Sequence, residues 1–264
     1  MLELYHNDMS VCAQKVRFAL AEKSQPWTGH HLNLRAGDQQ KPDYAKLNPN
    51  MVVPTLVHDG AVIVESTVIA EYIDDAFADP PLKSRAPVER ARMRIWTKQL
   101  DEGVHAATGN ISQAIAFRHQ YAAMMTPEQF EDYVAKIPDP VRRNRTRENV
   151  SKGVESPYFV DSIQRYRKLL SDINAALERG PWLSGKDFSL ADVGFAPYIT
   201  RLDHLELRGM YETRFPRIAD WYERLKARKG YQEALVKWFN DAGVKLMREK
   251  GAEAWPRIQR TFDG

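Results

Sequence analysis

The sequence predicts an α/β plus all-α protein: an α/β unit over residues 1–82 followed by an all-helical unit over residues 88–264. Three observations predict it. Strand-like and helix-like apolar patterns alternate only in the first part of the chain. The run Asp79-Pro80-Pro81, and then Pro87, break the chain where that alternation stops. Beyond Val88 the apolar residues recur at helical spacing and almost no strand pattern remains.

The elements follow in order. Residues 2–5 form the first strand. Residues 13–23 place Val16, Ala19 and Leu20 on one stripe, the spacing of a helix. Residues 27–34 are extended, with a polar second half, and residues 42–47 form a short helix or turn. Residues 55–58 and 61–64 flank Asp59-Gly60, a strong hairpin signal. Residues 67–77 put Val68, Ile69, Tyr72 and Ile73 on the inner face of a helix. The order is β-α-β-α-β-β-α. In the second unit, residues 91–107 read as one long helix. The stretch 109–158 reads as less regular, punctuated by Pro127, Pro138, Pro140 and Pro157. Residues 161–177, 190–205, 217–227 and 232–246 are helical. Ser189 and Asp192 have the spacing of a capping box.

Composition narrows the function classes. A hydrophobic fraction of 43% against 28% charged residues is that of a soluble globular chain. No apolar run approaches the roughly 18 residues that span a bilayer, so no membrane partner is expected. The first residues lack the basic and apolar regions of a secretory signal. Cys12 is the one cysteine, which excludes a disulfide framework and a cysteine-built metal cage. A reducing, cytoplasmic setting is the expectation. The seven histidines are scattered; His30 and His31 are neighbours on a strand and face opposite ways, so no metal site is expected. A net charge of +3 does not point to nucleic acid. Arg142, Arg143, Arg145 and Arg147 crowd a loop-like stretch, either a solvated basic segment or a site for an anion.

With the elements laid out, the motifs resemble the glutathione transferase family over nearly the whole chain. Val53-Pro54 before the hairpin and Glu65-Ser66 opening the third helix resemble that family's thioredoxin-like domain. Phe188-Ser189-Leu190-Ala191-Asp192 resembles the Ser-x-x-Asp capping signature of its all-helical domain. The run from Trp221 to Lys229 resembles its penultimate helix. Met9-Ser10-Val11-Cys12, with Lys15-Val16-Arg17, is similar to the Ser-x-Cys start of the zeta class and of glutathione-dependent reductive dehalogenases. The middle of the chain is similar to bacterial β-etherases. That likeness rests on Arg94–Lys98 with Asp101-Glu102, on Thr126–Glu131, and on the arginines after Ile137-Pro138. The Met9–Cys12 stretch departs from the etherase pattern, which leaves the reaction open between these subgroups and the co-substrate the same.

The resemblance implies glutathione as co-substrate, a hydrophobic aromatic electrophile as partner, and a homodimer. It implies an electrophile pocket in the 88–264 unit. Such an enzyme must turn a thiol with pKa near 8.5 into a thiolate at neutral pH. A hydroxyl donating to sulfur and a helix N-terminus both favour the anion. Ser10 sits just before the first helix, where spacing alone describes an N-cap serine and the resemblance implies the thiol-activating residue. Tyr5, the residue other classes use, reads as core packing at the end of the first strand. Cys12 is either a small helix residue near the sulfur or, in the dehalogenase-like reading, a thiol that forms a mixed disulfide with glutathione.

The resemblance further implies a cis bond before Pro54, exposing the Val53 backbone to the cysteinyl part of glutathione. Glu65 and Ser66 would hold the γ-glutamyl end at a helix N-terminus. Gln39 and Gln40 resemble a Gln-Gln pair of the zeta class at the glycyl end, and equally fit solvated loop glutamines. Met51 stands where the family often has a lysine; Arg35, or an arginine of 142–147, is a substitute. His105, Asn110, Gln113, Phe117 and Tyr121 are candidates for the electrophile wall, although their spacing falls on no single helical face. The long 109–158 segment reads as a lid or pocket wall suited to a bulky aromatic substrate. A non-catalytic binding protein on the same fold, and a zeta-type isomerase, are the other functional readings.

Overall fold

The computed structural model describes residues 1–263. Strand β1 (Leu2–His6) buries Leu2, Leu4 and His6 in alternation, the period of a strand with one face on the core. Helix α1 (Val11–Glu22) follows, then β2 (Thr28–His31), which lies parallel to β1. A 3-10 turn at Asp38–Gln40 leads to α2 (Pro42–Leu47). Strands β3 (Thr55–His58) and β4 (Ala61–Ile63) form the expected hairpin. Asp59 and Gly60 at its tip have φ of 48° and 84°, the left-handed pair such a turn requires. Helix α3 (Ser66–Ala76) closes the unit. The sheet order is β2-β1-β3-β4, with β3 antiparallel to β1 and Tyr5 opposite Thr55.

The buried stripe of α3 runs through Ile69, Ala70 and Ile73, and Val68 faces outward at 57% exposure. The expectation that Val68 faces inward is therefore corrected. The break after α3 is pinned by a buried ion pair: Lys23 Nζ lies 2.5 Å from Asp74 and donates to the Pro80 carbonyl at 2.6 Å. Asp74 also accepts the Leu82 N–H at 2.7 Å.

The remainder is helical: α4 (Pro87–Gln99), α5 (His105–Ser112), α6 (Arg118–Met124), α7 (Pro127–Ala135), α8 (Pro140–Lys152), α9 (Pro157–Ala176), α10 (Leu190–His204), α11 (Pro216–Lys226), α12 (Lys229–Ala234) and α13 (Asp241–Asp263). Three sequence readings change here; the helix expected over 232–246 is broken after Ala234 by a 3-10 turn at Val236–Trp238, and α13 starts only at Asp241. The single helix expected over 91–107 is interrupted by a wide, π-type turn at Leu100–Val104, where Gly103 has φ 132°. A side chain at 103 would also meet the Arg165 guanidinium, so the interruption needs glycine. The stretch 109–158 is helical rather than irregular. Pro127, Pro140 and Pro157 each stand in the first turn of a helix, where the missing N–H costs nothing, so they start helices instead of breaking them. Thr126 and Asp139 cap two of those starts with their side chains. The arginine run accordingly lies on α8, not in a loop.

One apolar core runs through both units. It includes Val16 and Phe18 of α1 together with Phe195 of α10 and Tyr231 of α12. Helix α1 packs against α3, α10 and α12. The capping box of α10 forms as its spacing implies: Ser189 Oγ accepts the Ala191 N–H and Asp192 accepts the Ser189 N–H at 3.0 Å. Asp192 is fully buried and also accepts from Leu183 N–H and from the Trp221 indole. Burial pushes its carboxyl up to about 6, and these donors oppose that rise. No helix among the described residues is long and apolar enough to cross a membrane.

Candidate active site at the junction of the two units

A cavity of about 600 Å³ opens between the sheet unit and the helices. One wall is the β1–α1 connection, the 3-10 turn and the strip Met51–Val53. The facing wall carries His105, Thr108, Ser112, Gln113, Phe117 and Tyr121, with Arg142 and Arg201 beyond. Of the expected electrophile wall, only Asn110 is absent: it is buried against Ser162 and Asn149. A second π-type turn at Gln113–Phe117 explains the awkward spacing. A wider turn advances the phase by a residue, so side chains that share no face of a regular helix here share one wall.

Ser10 lines this cavity at the amino end of α1. Its Oγ accepts the Ala13 N–H at 3.3 Å, so it is an N-cap. Its own hydroxyl proton has no acceptor among the described residues, and it remains available to a ligand. The connection that presents it is held by buried Arg17, which donates to the carbonyls of Asn7 at 2.9 Å, Asp8 at 2.8 Å and Ala234 at 2.8 Å. Tyr5 does not line the cavity. It stacks on His30 at 4.4 Å and packs against Tyr44.

Cys12 lies in the first turn of α1, half-buried and outside the cavity's lining residues, with its Sγ 3.4 Å from His105 Nδ1 and 3.8 Å from the Tyr198 hydroxyl. Burial pushes the thiol up, yet the His105 ring, with further help from Lys15 and a bond from Ser66, brings it down to about 6. His105 is raised in turn, chiefly by the sulfur charge. Lys15 is buried and donates to Ser66 Oγ at 3.0 Å and Thr67 Oγ1 at 2.9 Å; Thr67 passes the chain on to Asp101 at 3.0 Å. This network joins the start of α1 to the start of α3.

The Val53–Pro54 peptide is cis, as the resemblance implies, and Val53 lines the cavity. Neither the Val53 N–H nor its C=O has a hydrogen-bond partner among the described residues. Gln39 and Gln40 also line the cavity, each donating to Tyr133 of α7, at 3.2 Å to the hydroxyl and 3.0 Å to the carbonyl. Glu65 and Ser66 are not among the cavity's lining residues, and the Ser66 hydroxyl is engaged by Lys15 instead. Glu65 is exposed, stands at φ 69° and leaves the first N–H groups of α3 without a side-chain cap. A non-glycine residue in that conformation is uncommon.

Sequence reading passed over Arg201, Tyr198 and the partners of His105. A signal was available for Arg201, a lone cation in the apolar run of α10. None was available for the Cys12–His105 contact, which only folding creates. Of the α8 arginines, Arg142 reaches the cavity and donates to the Asn50 carbonyl at 3.1 Å. Arg147 instead pairs with Glu131 and Arg143 binds the Ile137 carbonyl.

Residues 9–76 match the model of the glutathione S-transferase N-terminal domain, and residues 139–224 match that of the C-terminal domain. The chain belongs to the glutathione S-transferase family. Members use glutathione as co-substrate, and a glutathione-bound theta-class transferase from Xanthomonas axonopodis pv. citri shares the fold of this one at TM-score 0.66 and 23% identity, over 89% of this chain and 96% of that one. Protein LigF of Sphingobium sp. (strain NBRC 103272 / SYK-6) is 27% identical over 257 residues, 95% of this transferase-family chain and 99% of the relative. The crystal structure of beta-etherase LigF superimposes with TM-score 0.80 at 26% identity, over 89% of this chain and 99% of that one. The tetrachloro-p-hydroquinone reductive dehalogenase of Sphingobium chlorophenolicum is 24% identical over 242 residues, covering 89% of this chain and 96% of its own.

Proposed function

We propose that the protein is a glutathione transferase that attacks a hydrophobic aromatic electrophile, with β-aryl ether cleavage as its reaction. The observation that carries this reading is Ser10: a hydroxyl with an uncommitted proton, at a helix N-terminus, on the wall of a cavity whose far side bears Phe117 and Tyr121. In this reading the unit 1–82 holds glutathione and the unit 88–264 forms the electrophile pocket.

The unpaired N–H and C=O of Val53, before cis Pro54, pair with the cysteinyl backbone like an added strand. Free N–H groups at the start of α3, with Ser66, meet the γ-glutamyl carboxylate, and Glu65 meets the ammonium. Gln39, Gln40 and Arg142 receive the glycyl end. Arg142 reaches the strip beside Met51 from α8 and supplies the charge that a lysine there would bring.

Ser10 donates its proton to the sulfur and so favours the thiolate. The thiolate attacks the carbon bearing the leaving group. A carbon–sulfur bond forms, the carbon–oxygen bond breaks, and the aryl oxide departs with the bonding pair and takes a proton from water. The thioether is the product. Positioning and thiolate fraction account for the acceleration. The protein acts in the cytoplasm as a homodimer, and sedimentation of the purified chain checks the dimer.

The decisive experiment is an ultraviolet thiolate titration with glutathione, for wild type and Ser10→Ala, across pH. A saturable thiolate at neutral pH that the variant loses supports the reading, and absence of glutathione binding leaves a scaffold protein.

The Cys12–His105 contact favours a second reading, a reductive dehalogenase. There, glutathione first displaces halide from the ring. The Cys12 thiolate then attacks the sulfur of that adduct, forming a mixed disulfide and expelling the ring carbanion, which takes a proton. A second glutathione thiolate releases oxidised glutathione and restores Cys12. Full turnover by Cys12→Ser on aryl ethers and halides alike excludes it.

A further inference from the structure

The cavity is lined by three guanidinium groups, those of Arg35, Arg142 and Arg201, and by a single carboxylate, Asp8. Asp8 is already engaged by the Met9 N–H at 2.8 Å and the Asn240 amide at 3.3 Å. Arg142 lies beside the strip assigned above to the tripeptide. The other two arginines lie elsewhere, on the aromatic side of the pocket.

Arg201 is 4% exposed. It donates to Ser112 Oγ at 2.9 Å and to the Met9 carbonyl, while its Nε is buried without any partner. The ionisable groups facing it are Tyr166, Tyr198, Arg35 and, one turn on along α10, His204, none of them a carboxylate. Arg35 donates to Gln120 at 2.9 Å and to the Tyr121 hydroxyl at 2.7 Å, again with no acid. Both guanidinium groups lie against the same ring: Arg35 is 4.3 Å and Arg201 5.2 Å from the centre of Phe117. Burying a guanidinium with only neutral partners is costly. A fold keeps such a charge where a ligand of opposite sign completes it, and Arg binds planar carboxylates in preference to other anions.

We propose, resting on the transferase reading above, that the acceptor site takes an aromatic electrophile that carries a carboxylate. The ring lies against Phe117 and the carboxylate is held by Arg201 and Arg35. These two arginines are specificity-determining residues and take no part in the bond-breaking step.

The test uses matched probes: 4-chloro-3-nitrobenzoate and its methyl ester, and a 2-phenoxyacetophenone with a carboxylate on the phenoxy ring and its methyl ester. Each rate is divided by the uncatalysed rate with glutathione, which removes the substituent's effect on intrinsic reactivity. The wild type is expected to favour the acid over the ester by about 10- to 100-fold in kcat/KM for the reactive pair, the scale of one charged hydrogen-bonding contact. Arg201→Gln is expected to bring that ratio close to one without changing the affinity for glutathione. If Arg201→Gln fails to fold, Arg35→Gln gives the same ratio test.

A wild-type ratio near one, with thiolate formation intact, overturns the proposal and leaves the transferase reading standing. Weaker glutathione binding in Arg201→Gln, with the acid-to-ester ratio kept, also overturns it by assigning the guanidinium to the tripeptide. No thiolate in the wild type overturns the transferase reading itself, and this proposal with it.

Discussion

Cys12 Sγ lies 3.4 Å from His105 Nδ1, although 93 positions separate the two in the chain. The contact joins the first turn of α1 to the first residue of α5, across the junction of the two units. The His105 ring opposes the effect of burial, and the thiol settles near 6.

The consequence is a pH profile. A lowered thiol pKa means that the thiolate predominates above about pH 6 and disappears as pH falls through that value. An ordinary cysteine loses its thiolate already below about 8.5. Alkylation of Cys12 by iodoacetamide, followed by mass spectrometry, is expected to stay fast at pH 7 and to slow below 6. In His105→Ala the same loss moves upward in pH, and alkylation at pH 7 slows by roughly tenfold or more. An unchanged profile in that variant contradicts the pairing.

Ser10→Ala tests the activating hydroxyl. Loss of one hydrogen bond to a charged sulfur is worth about 1.5–3 kcal/mol, so the pKa of bound glutathione is expected to rise by about 1–2 units. The N-cap is lost as well, at about 1 kcal/mol of stability. Thermal melting separates the two effects: a normal thiolate titration in a slightly less stable protein leaves Ser10 a cap alone.

Arg142 is expected to recognise the glycyl carboxylate. Arg142→Ala should weaken glutathione by about 10-fold on the scale of a charged hydrogen bond. It should leave γ-glutamylcysteine, which lacks that carboxylate, unaffected. Calorimetry with the two ligands checks this, and equal weakening of both would place Arg142 elsewhere.

Asp192 is a test of stability. Its carboxylate satisfies the N–H groups of Leu183 and Ser189 and the Trp221 indole in a fully buried setting. Asp192→Ala strands those donors at about 1–3 kcal/mol each, so a loss on the order of 3–5 kcal/mol is expected in urea unfolding. Ser189→Ala removes the acceptor of the Ala191 N–H and the hydroxyl's bonds to Asp192 and Ser184, leaves the Asp192 carboxylate on its other donors, and should cost about 1 kcal/mol. Turnover lost by Ser189→Ala at unchanged stability would overturn the structural assignment.

The features set by neighbours in sequence were legible without coordinates. Asp59-Gly60 makes a tight turn because its φ values are accessible to those two residues. Ser189 and Asp192 cap α10, and Ser10 caps α1, because each bond spans only two or three residues. The alternation of periods two and 3.6 separated the sheet unit from the helices. Proline is ambiguous in sequence for a related reason: the same residue ends one element or begins the next, and Pro127, Pro140 and Pro157 begin theirs.

Tertiary structure decided what lies far apart in sequence. The turns at Leu100–Val104 and Gln113–Phe117 shift the helical phase, so the cavity wall follows no pattern that a regular period reveals. The pairing of Cys12 with His105 and the approach of Arg35 and Arg201 to Phe117 depend on how α1, α5 and α10 pack. Short-range hydrogen bonding and apolar periodicity are written into local sequence. Which charges share a cavity, and which of them go without a partner, depends on distances that exist only once the chain has folded.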